Sequence, residues 1–487
     1  MSSAIDQPTN VVFMLSDDQG PWAAGCYGND EIHTPNIDRL AEEGIRFENF
    51  FCTSPVCSPS RASFLTGRIP SQHGVHDWIR DGNVPPGKGY RQEAAEEAWP
   101  AVPYVESYPT YTEILADNGY ACGFSGKWHL GDSQSPQAGF DHWFAHQKGG
   151  GPYYDAPVVR DGAFERDPGY ITEVITDEAL AILDRMAEPF YLGVHYTAPH
   201  SPWTGEDGEA KGQHPEEFTE RYDDCPFKTC PQEPMHPWAG GLTEGNMGNH
   251  ESLKGYFGAV TAMDHQIGRL LDRLEELGIR EDTLVVCTSD NGFSCGHHGF
   301  WGKGNGTSPL NMYENSVKVP FVASHPGEIP DGTVTDAMMN GYDFMPTLLD
   351  YLDLTDADVD ASTIPGRSFR EVFRGRSDDG RDRVVVHTEY GNVRMIRTDR
   401  WKYVHRYPDG PHELYDLEND PDERNNRIDD PDQRERVTTL RADLAEWFGR
   451  YVDPQRDGAR FPVSGRGQKT RIDEGHPGET DFYSDQG

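Results

Sequence analysis

The chain has 487 residues, 35% of them hydrophobic and 11% aromatic, which is enough for more than one domain's core and excludes a disordered acidic polymer. Acidic residues number 82 against 43 basic ones, and the formal net charge of −39 excludes binding to nucleic-acid backbones or anionic membranes. No apolar run approaches the ~20 residues of a membrane span, and "MSSAIDQPTN" lacks the basic start and apolar stretch of a secretory signal, so a cytoplasmic protein is expected.

The first element is the apolar run Val11 to Leu15 in "NVVFMLSDDQG", a buried strand that stops at Asp17, Asp18 and a glycine. "TPNIDRLAEEG" follows as a helix with Thr34 as N-cap, Pro35 at its first position and Gly44 at its close. "SPVCSPSRASFLTGR" reads as a second helix, with Pro59 in its first turn, Ala62, Phe64 and Leu65 on its apolar side and Gly67 closing it. Cys57 stands at the mouth of that helix, with Arg61 one turn in. A helix start favours an anion, and a guanidinium adds a fixed charge and a donor fork.

Two further strand-like runs end in chemistry. "GYACGFSGKWHLG" delivers Lys127 and His129, and "PFYLGVHYTAPHSPW" delivers His195 and His200. The long amphipathic helix "SLKGYFGAVTAMDHQIGRLLDRLEELG" closes at Gly278. "DTLVVCTSDNG" then echoes the first strand, its apolar run ending at Asp290, Asn291 and Gly292. Strands alternating with helices argue for a large mixed, mostly parallel α/β sheet sandwiched by helices over residues 8–354. Residues 355–454 carry "RVVVHTEYG" and "VRMIRTDRWKYVHRY", a smaller antiparallel sheet followed by a helix, and 455–487 form a polar tail.

In such sheets, sites lie beyond the carboxyl ends of the strands. Asp17, Asp18, Asp290 and Asn291 are hard oxygen ligands that suit Ca²⁺ or Mg²⁺ rather than zinc or copper. Four such oxygens at one rim need a cation between them. Asp290→Ala is therefore expected to abolish activity with little loss of fold.

Two segments without clear periodicity, 79–109 and 203–250, carry Trp99, Tyr104, Tyr108, Trp203, His236 and Trp238, whose rings suit either sugar faces or packing. Cys225 and Cys230 in "CPFKTC" are placed to pair or to bind metal, and His297 and His298 follow the second acidic pair closely. Ten lysines beside 33 arginines, with the net charge of −39, point to adaptation to high salt.

These blocks together resemble the type I, formylglycine-dependent sulfatases of the alkaline phosphatase superfamily. "CSPSRASFLTGR" is similar to that family's C-x-P-x-R signature and trailing L-T-G-R. "GKWHLG", "APHSP", "GKG…MYENSVKVPF" and "ELYDLENDPDERNN" resemble its other blocks in their expected order, over about residues 10–426. The resemblance implies that a formylglycine-generating maturation enzyme converts Cys57 to an aldehyde that hydrates to a diol. It implies a Ca²⁺ or Mg²⁺ ion held by Asp17, Asp18, Asp290 and Asn291 together with the residue made from Cys57. Arg61, Lys127 and His129 are then expected around the diol, with His129 as base, and His200 and Lys303 at the sulfate and its leaving oxygen. The implied substrate is a small-molecule or oligosaccharide sulfate ester.

A phosphonate monoester or phosphodiester hydrolase on the same scaffold is the competing reading, because sulfate and phosphate esters present similar tetrahedral oxyanions. A catalytically silent binding protein is disfavoured, because every expected ligand and proton carrier is present. A cysteine-thiolate phosphatase is excluded, since that chemistry needs an arginine six residues after the cysteine and Ser63 stands there.

Overall fold

The computed structural model describes residues 9–80, 82–85, 101–354, 359–389, 391–460 and 467–472. In chain order the main strands are β1 (Asn10–Ser16), β2 (Ile45–Phe47), β3 (Ala121–Lys127), β4 (His142–His146), β5 (Ala156–Arg160), β6 (Ala163–Asp167), β7 (Phe190–His195), β8 (Thr283–Ser289), β9 (Phe321–Ser324) and β10 (Thr333–Thr335). They form one 10-stranded sheet in the order β10-β2-β9-β8-β1-β7-β3-β4-β5-β6. The five central strands, β8-β1-β7-β3-β4, run parallel, while β9 and β5, each antiparallel to both of its neighbours, make the sheet mixed.

Successive side chains of a strand point to opposite faces, and β1 shows the consequence. Val11, Phe13 and Leu15 pack into one core with Ala62, Phe64 and Leu65 of the helix α2 (Cys57–Thr66). Val12 and Met14 pack into the other core, with the helices α1 (Pro35–Glu42), α3 (Ile171–Leu183) and α4 (His250–Glu276). A strand covered on both faces must be apolar throughout, which is why these runs read as continuous rather than alternating.

α2 is buried along its whole length, all ten residues of it. It starts at Cys57, so that Pro59 lies in its first turn, and ends at Gly67, which takes the left-handed backbone with φ of 63°. The start of α1 departs from expectation. The Thr34 hydroxyl accepts the Gly25 N–H and faces Asp38, leaving the helix end uncapped by its own residue. Asp264 of α4 does the capping from across the core: its carboxylate accepts the N–H groups of Asn36 at 3.0 Å and Ile37 at 2.8 Å. Asp264→Ala should therefore lower stability by about 2–3 kcal/mol, because two buried N–H groups lose their acceptor. Asp264→Asn should recover part of it, since one amide oxygen still accepts; denaturant melts of the three proteins measure this.

A separate antiparallel sheet of four strands, β11 (Arg383–Thr388), β12 (Val393–Thr398), β13 (Trp401–Arg406) and β14 (Glu413–Asp416), carries the helix α5 (Arg434–Tyr451). Val385, Ile396, Tyr403 and Leu414 pack under Leu440, Leu444 and Phe448 of α5. Lys402 of β13 ties this sheet to the main body through an ion pair to Glu314 at 2.7 Å, and pairs within its own part of the chain with Glu423 at 2.6 Å, whose carboxylate also accepts the Glu314 N–H. The tail segment 467–472 is docked: Gln468 is fully buried and bridges to Ile79 in parallel register.

Candidate active site

Four adjacent strands, β8, β1, β7 and β3, end at one place. β1 delivers Asp17 and Asp18, β8 delivers Asp290 and Asn291, β3 ends in Lys127 with His129 just beyond, and β7 leads to His200. Asp18 and His129 both take left-handed backbone, with φ of 69° and 53°, at the points where the chain leaves its strand. α2 enters from one face of the sheet and brings Cys57 and Arg61 among them. Every one of the expected site residues is thus brought together.

The contacts interlock. Cys57 Sγ lies 3.3 Å from Asp17 Oδ1 and 2.7 Å from Lys303 Nζ. Lys303 Nζ also meets Asp18 Oδ1 at 2.5 Å, and Asp18 accepts the Asn291 amide at 2.7 Å. Lys127 pairs directly with Asp17. Arg61 donates from Nε to Asp290 at 2.8 Å and from Nη1 to the Lys127 carbonyl at 2.8 Å. His200 Nε2 stands 3.8 Å from Asp18. The lysines thus grip the carboxylates themselves, where the sequence placed Lys127 only beside residue 57.

Burial shifts these groups in different directions. It opposes the charge on Asp17, yet Lys127, then His200, Lys303 and Arg61, hold that carboxyl well below its usual range. Burial and then the Asp17 charge push Asp290 upward, against Arg61. Burial works against the Lys303 ammonium too, but the Asp18 charge keeps it protonated. The Cys57 thiol is pushed up to about 12 by burial and then by Asp17, so as a thiol it stays neutral. His129 is held well below the usual histidine range by burial and then by Lys127, and is neutral.

The residues fit a hard divalent cation. One ligand atom from each of Asp17, Asp18, Cys57 and Asp290 lies within 4.8 Å of the others, all buried. Asn291 Oδ1 is buried with no hydrogen-bond partner. Three carboxylates and a free amide oxygen are the donor set that Ca²⁺ or Mg²⁺ takes. Two more buried atoms of the site residues, Arg61 Nη2 and His129 Nδ1, have no hydrogen-bond partner among the described residues. His129 Nε2 is engaged by the Ile79 carbonyl at 2.9 Å; a carbonyl only accepts, so Nε2 carries the proton and Nδ1 the lone pair.

A cavity of about 330 Å³ opens over this cluster. It is lined by Cys57, Lys303, His129 and His200, and further by Trp78, Ile79, Arg80, Lys148, Gly149, Gly150 and Asn305. A side-chain carbon at Gly149 would fall 2.1 Å from the His129 ring, so only glycine lets this loop lie against it. Sequence reasoning missed Trp78 and Lys148; the glycine run 149–151 after β4 was the available signal.

The other rings behave differently from a sugar platform. Trp203 is buried and donates to the Pro199 carbonyl, Tyr104 is buried, and Tyr108 donates to the Gln72 carbonyl. His236 meets Tyr313, and Arg406 covers Trp238. These five pack their loops down, and Trp99 lies outside the described residues. His297 is held by the Thr229 carbonyl, His298 stacks on Tyr313 at 3.8 Å, and His195 is buried against Phe13 and Phe124. Cys225 and Cys230 are free thiols, and neither joins a ligand cluster among the described residues.

Comparison with known proteins agrees with this geometry. A family model described as Sulfatase matches residues 9–354, and one described as N-sulphoglucosamine sulphohydrolase, C-terminal, matches residues 296–448. An N-acetylglucosamine-6-O-sulfatase of Bacteroides thetaiotaomicron is 30% identical, over 92% of this chain and 88% of its own. A solved structure of a protein bound to its substrate D-glucosamine-2-N,6-O-disulfate is 26% identical with a TM-score of 0.73, covering 93% of this chain and 99% of the other. The phosphonate monoester hydrolase of Agrobacterium radiobacter, 20% identical with a TM-score of 0.66 over 91% of this chain and 95% of its own, shares the fold.

Proposed function

Because the chain belongs to the type I sulfatase family of the alkaline phosphatase superfamily, and so hydrolyses sulfate esters, we propose that its substrate is a sulfated carbohydrate. The observation that carries this reading is the convergence of Cys57, three carboxylates, Asn291 and three cationic side chains at the ends of four neighbouring strands, beneath a cavity open to solvent. The carbohydrate class is supported by the relative named for N-acetylglucosamine 6-sulfate and by the solved structure holding a glucosamine disulfate.

Asp17, Asp18, Asp290 and Asn291 would hold a Ca²⁺ ion, which supplies positive charge for the sulfate oxygens. Formylglycine made from Cys57 would supply the hydroxyl nucleophile that a neutral thiol does not. The chain's own groups do the rest. Lys303 and Lys127 sit where sulfate oxygens gather charge, and Arg61 fixes the orientation of residue 57 from one helical turn away. His200 gives the leaving oxygen its proton. His129, with its Nδ1 lone pair free, takes the proton released at residue 57.

Sulfate release from a panel of sulfated monosaccharides, 4-nitrophenyl sulfate and a phosphonate monoester tests the reading. A sulfated sugar should be turned over with the highest kcat/KM. A preparation with converted Cys57 that prefers the phosphonate would overturn it.

The tail braces His129. Gln468 accepts the His76 N–H at 2.8 Å, donates to the Gly74 carbonyl at 2.9 Å, and its backbone pairs with Trp78 and Arg80 on either side of Ile79. Ile79 in turn holds the imidazole. Gln468→Ala should therefore lower kcat by about 10-fold with a smaller change in KM, alongside a loss of about 1–2 kcal/mol in a denaturant melt.

The acidic surface supports adaptation to high salt. The melting temperature should rise steadily between about 0.1 M and about 3 M KCl as the self-repulsion of a net charge of −39 is screened. A melting temperature independent of KCl would remove that reading.

A further inference from the structure

Three of the ten lysines lie at this one site in a chain with a net charge of −39. Two of them, Lys127 and Lys303, are engaged by Asp17 and Asp18. Lys148 is different. It lines the same cavity, is half-buried, and its ammonium has no ion pair or hydrogen bond among the described residues.

Its position is fixed from both sides. The Lys148 carbonyl accepts from His146 Nδ1 at 2.8 Å, and His146 is the buried register partner of Lys127. The next two residues, Gly149 and Gly150, lie against the rings of His129 and His200, where an added carbon would come within 2.1 Å and 3.1 Å. The backbone of Lys148 therefore cannot shift without disturbing both histidines. The half-buried Trp78 ring lines the same cavity and offers an apolar face to a sugar ring. A cavity of about 330 Å³ is of the size that holds a small ligand.

Resting on the sulfatase reading, we infer that Lys148 forms a second anion subsite, so that the enzyme prefers a sugar carrying another sulfate or a carboxylate besides the sulfate ester that is cleaved. The floor of the site already supplies the charges for the reacting sulfate. An ammonium that has no carboxylate partner among the described residues, on a loop locked to the two histidines, answers a charge elsewhere on the same substrate. An ammonium meeting an anion in a concave, partly desolvated site discriminates by about 10-fold or more.

The test is a ratio of kcat/KM values in two matched pairs. One pair is glucosamine 6-sulfate with and without N-sulfation. The other is a monosulfated disaccharide with its uronate carboxylate intact or reduced to the alcohol. Wild type should favour the dianionic member of at least one pair by about 10-fold, and the pair that responds tells sulfate from carboxylate. The ratio should fall to near one in K148A and K148Q, persist in K148R and invert in K148E, with thermal melts establishing that each variant is folded. A wild-type ratio at or below one in both pairs, or a ratio unchanged in K148A and K148Q, would overturn the inference while leaving the sulfatase reading in place. No turnover of any ester, 4-nitrophenyl sulfate included, with Cys57 converted would instead overturn the sulfatase reading and this inference with it.

Discussion

Cys57→Ala should be folded and inactive, with kcat/KM lowered by on the order of 10⁶, the scale on which removal of a covalent nucleophile acts in hydrolases. The structure says why the fold survives. Cys57 is the first residue of α2 and contributes no capping bond, and among the described residues its thiol hydrogen-bonds to Asp17 and Lys303. Both of those keep another partner, Lys127 for Asp17 and Asp18 for Lys303, so no buried charge is stranded. The cost in stability should be about 1 kcal/mol.

Cys57→Ser discriminates further. A serine has one hydroxyl where a hydrated aldehyde has two, so it can accept sulfate but leaves His129 no second proton to remove. It should release one equivalent of alcohol and stop, with a mass increase on the protein. In wild type, mass spectrometry of the tryptic peptide from Phe47 to Arg61 should show the aldehyde or its hydrate at residue 57. The same peptide contains Cys52, which is also buried but has Ser54 and Val56 where the signature places its proline and arginine, and should remain a thiol. Full activity in a sample carrying only unmodified Cys57 is the result that would sink the mechanism.

The parts of this site that were legible in the sequence share a physical cause. A strand buried on both faces carries no charge along its run, so its end is visible as the first charged residue: Asp17 and Asp290 just past β1 and β8, and Lys127 at the last position of β3. α2 was legible through Pro59 and Gly67, which mark a helix start and stop locally. What was hidden depends on contacts far apart in the chain. Asp264 caps α1 from 228 residues away, so Thr34 holds the N-cap position as the sequence indicates but does not supply the capping bond. Gln468 reaches across nearly 400 positions to the segment from Gly74 to Arg80 that contacts His129 through Ile79, and nothing in a polar tail announces that. The loop aromatics could not be sorted, because a tryptophan that packs a loop and one that faces a ligand have the same neighbours in sequence. Trp203 proved to be the first kind and Trp78 lines the cavity.

The same dependence on distant contacts decides how the cation site should be tested. Asp290 looked like a ligand that could be deleted cleanly, but it is the buried partner of the Arg61 guanidinium at 2.8 Å. Asp290→Ala would leave that charge unpaired in the core, a loss of about 3–5 kcal/mol that would obscure any effect on metal binding. Asn291 is the better probe. Its Oδ1 is free, and its Nδ2 donates to Asp18 and to the Gly292 carbonyl, both of which have or can find other partners. Asn291→Ala should weaken cation binding by about 10-fold to 100-fold, the scale on which groups supporting a metal site act. The readout need not be turnover. In wild type treated with chelator, returning Ca²⁺ to about 100 times its dissociation constant should raise stability by about 2.7 kcal/mol, and Asn291→Ala should need proportionally more Ca²⁺ for the same rise. Mg²⁺ should substitute less well, because its near-ideal octahedron is harder to satisfy with ligands already tied to Lys127, Lys303 and Arg61. A melting temperature indifferent to chelator and to both cations would mean that the two lysines and Arg61 alone balance the three carboxylates, and the cation would then have no place in the mechanism.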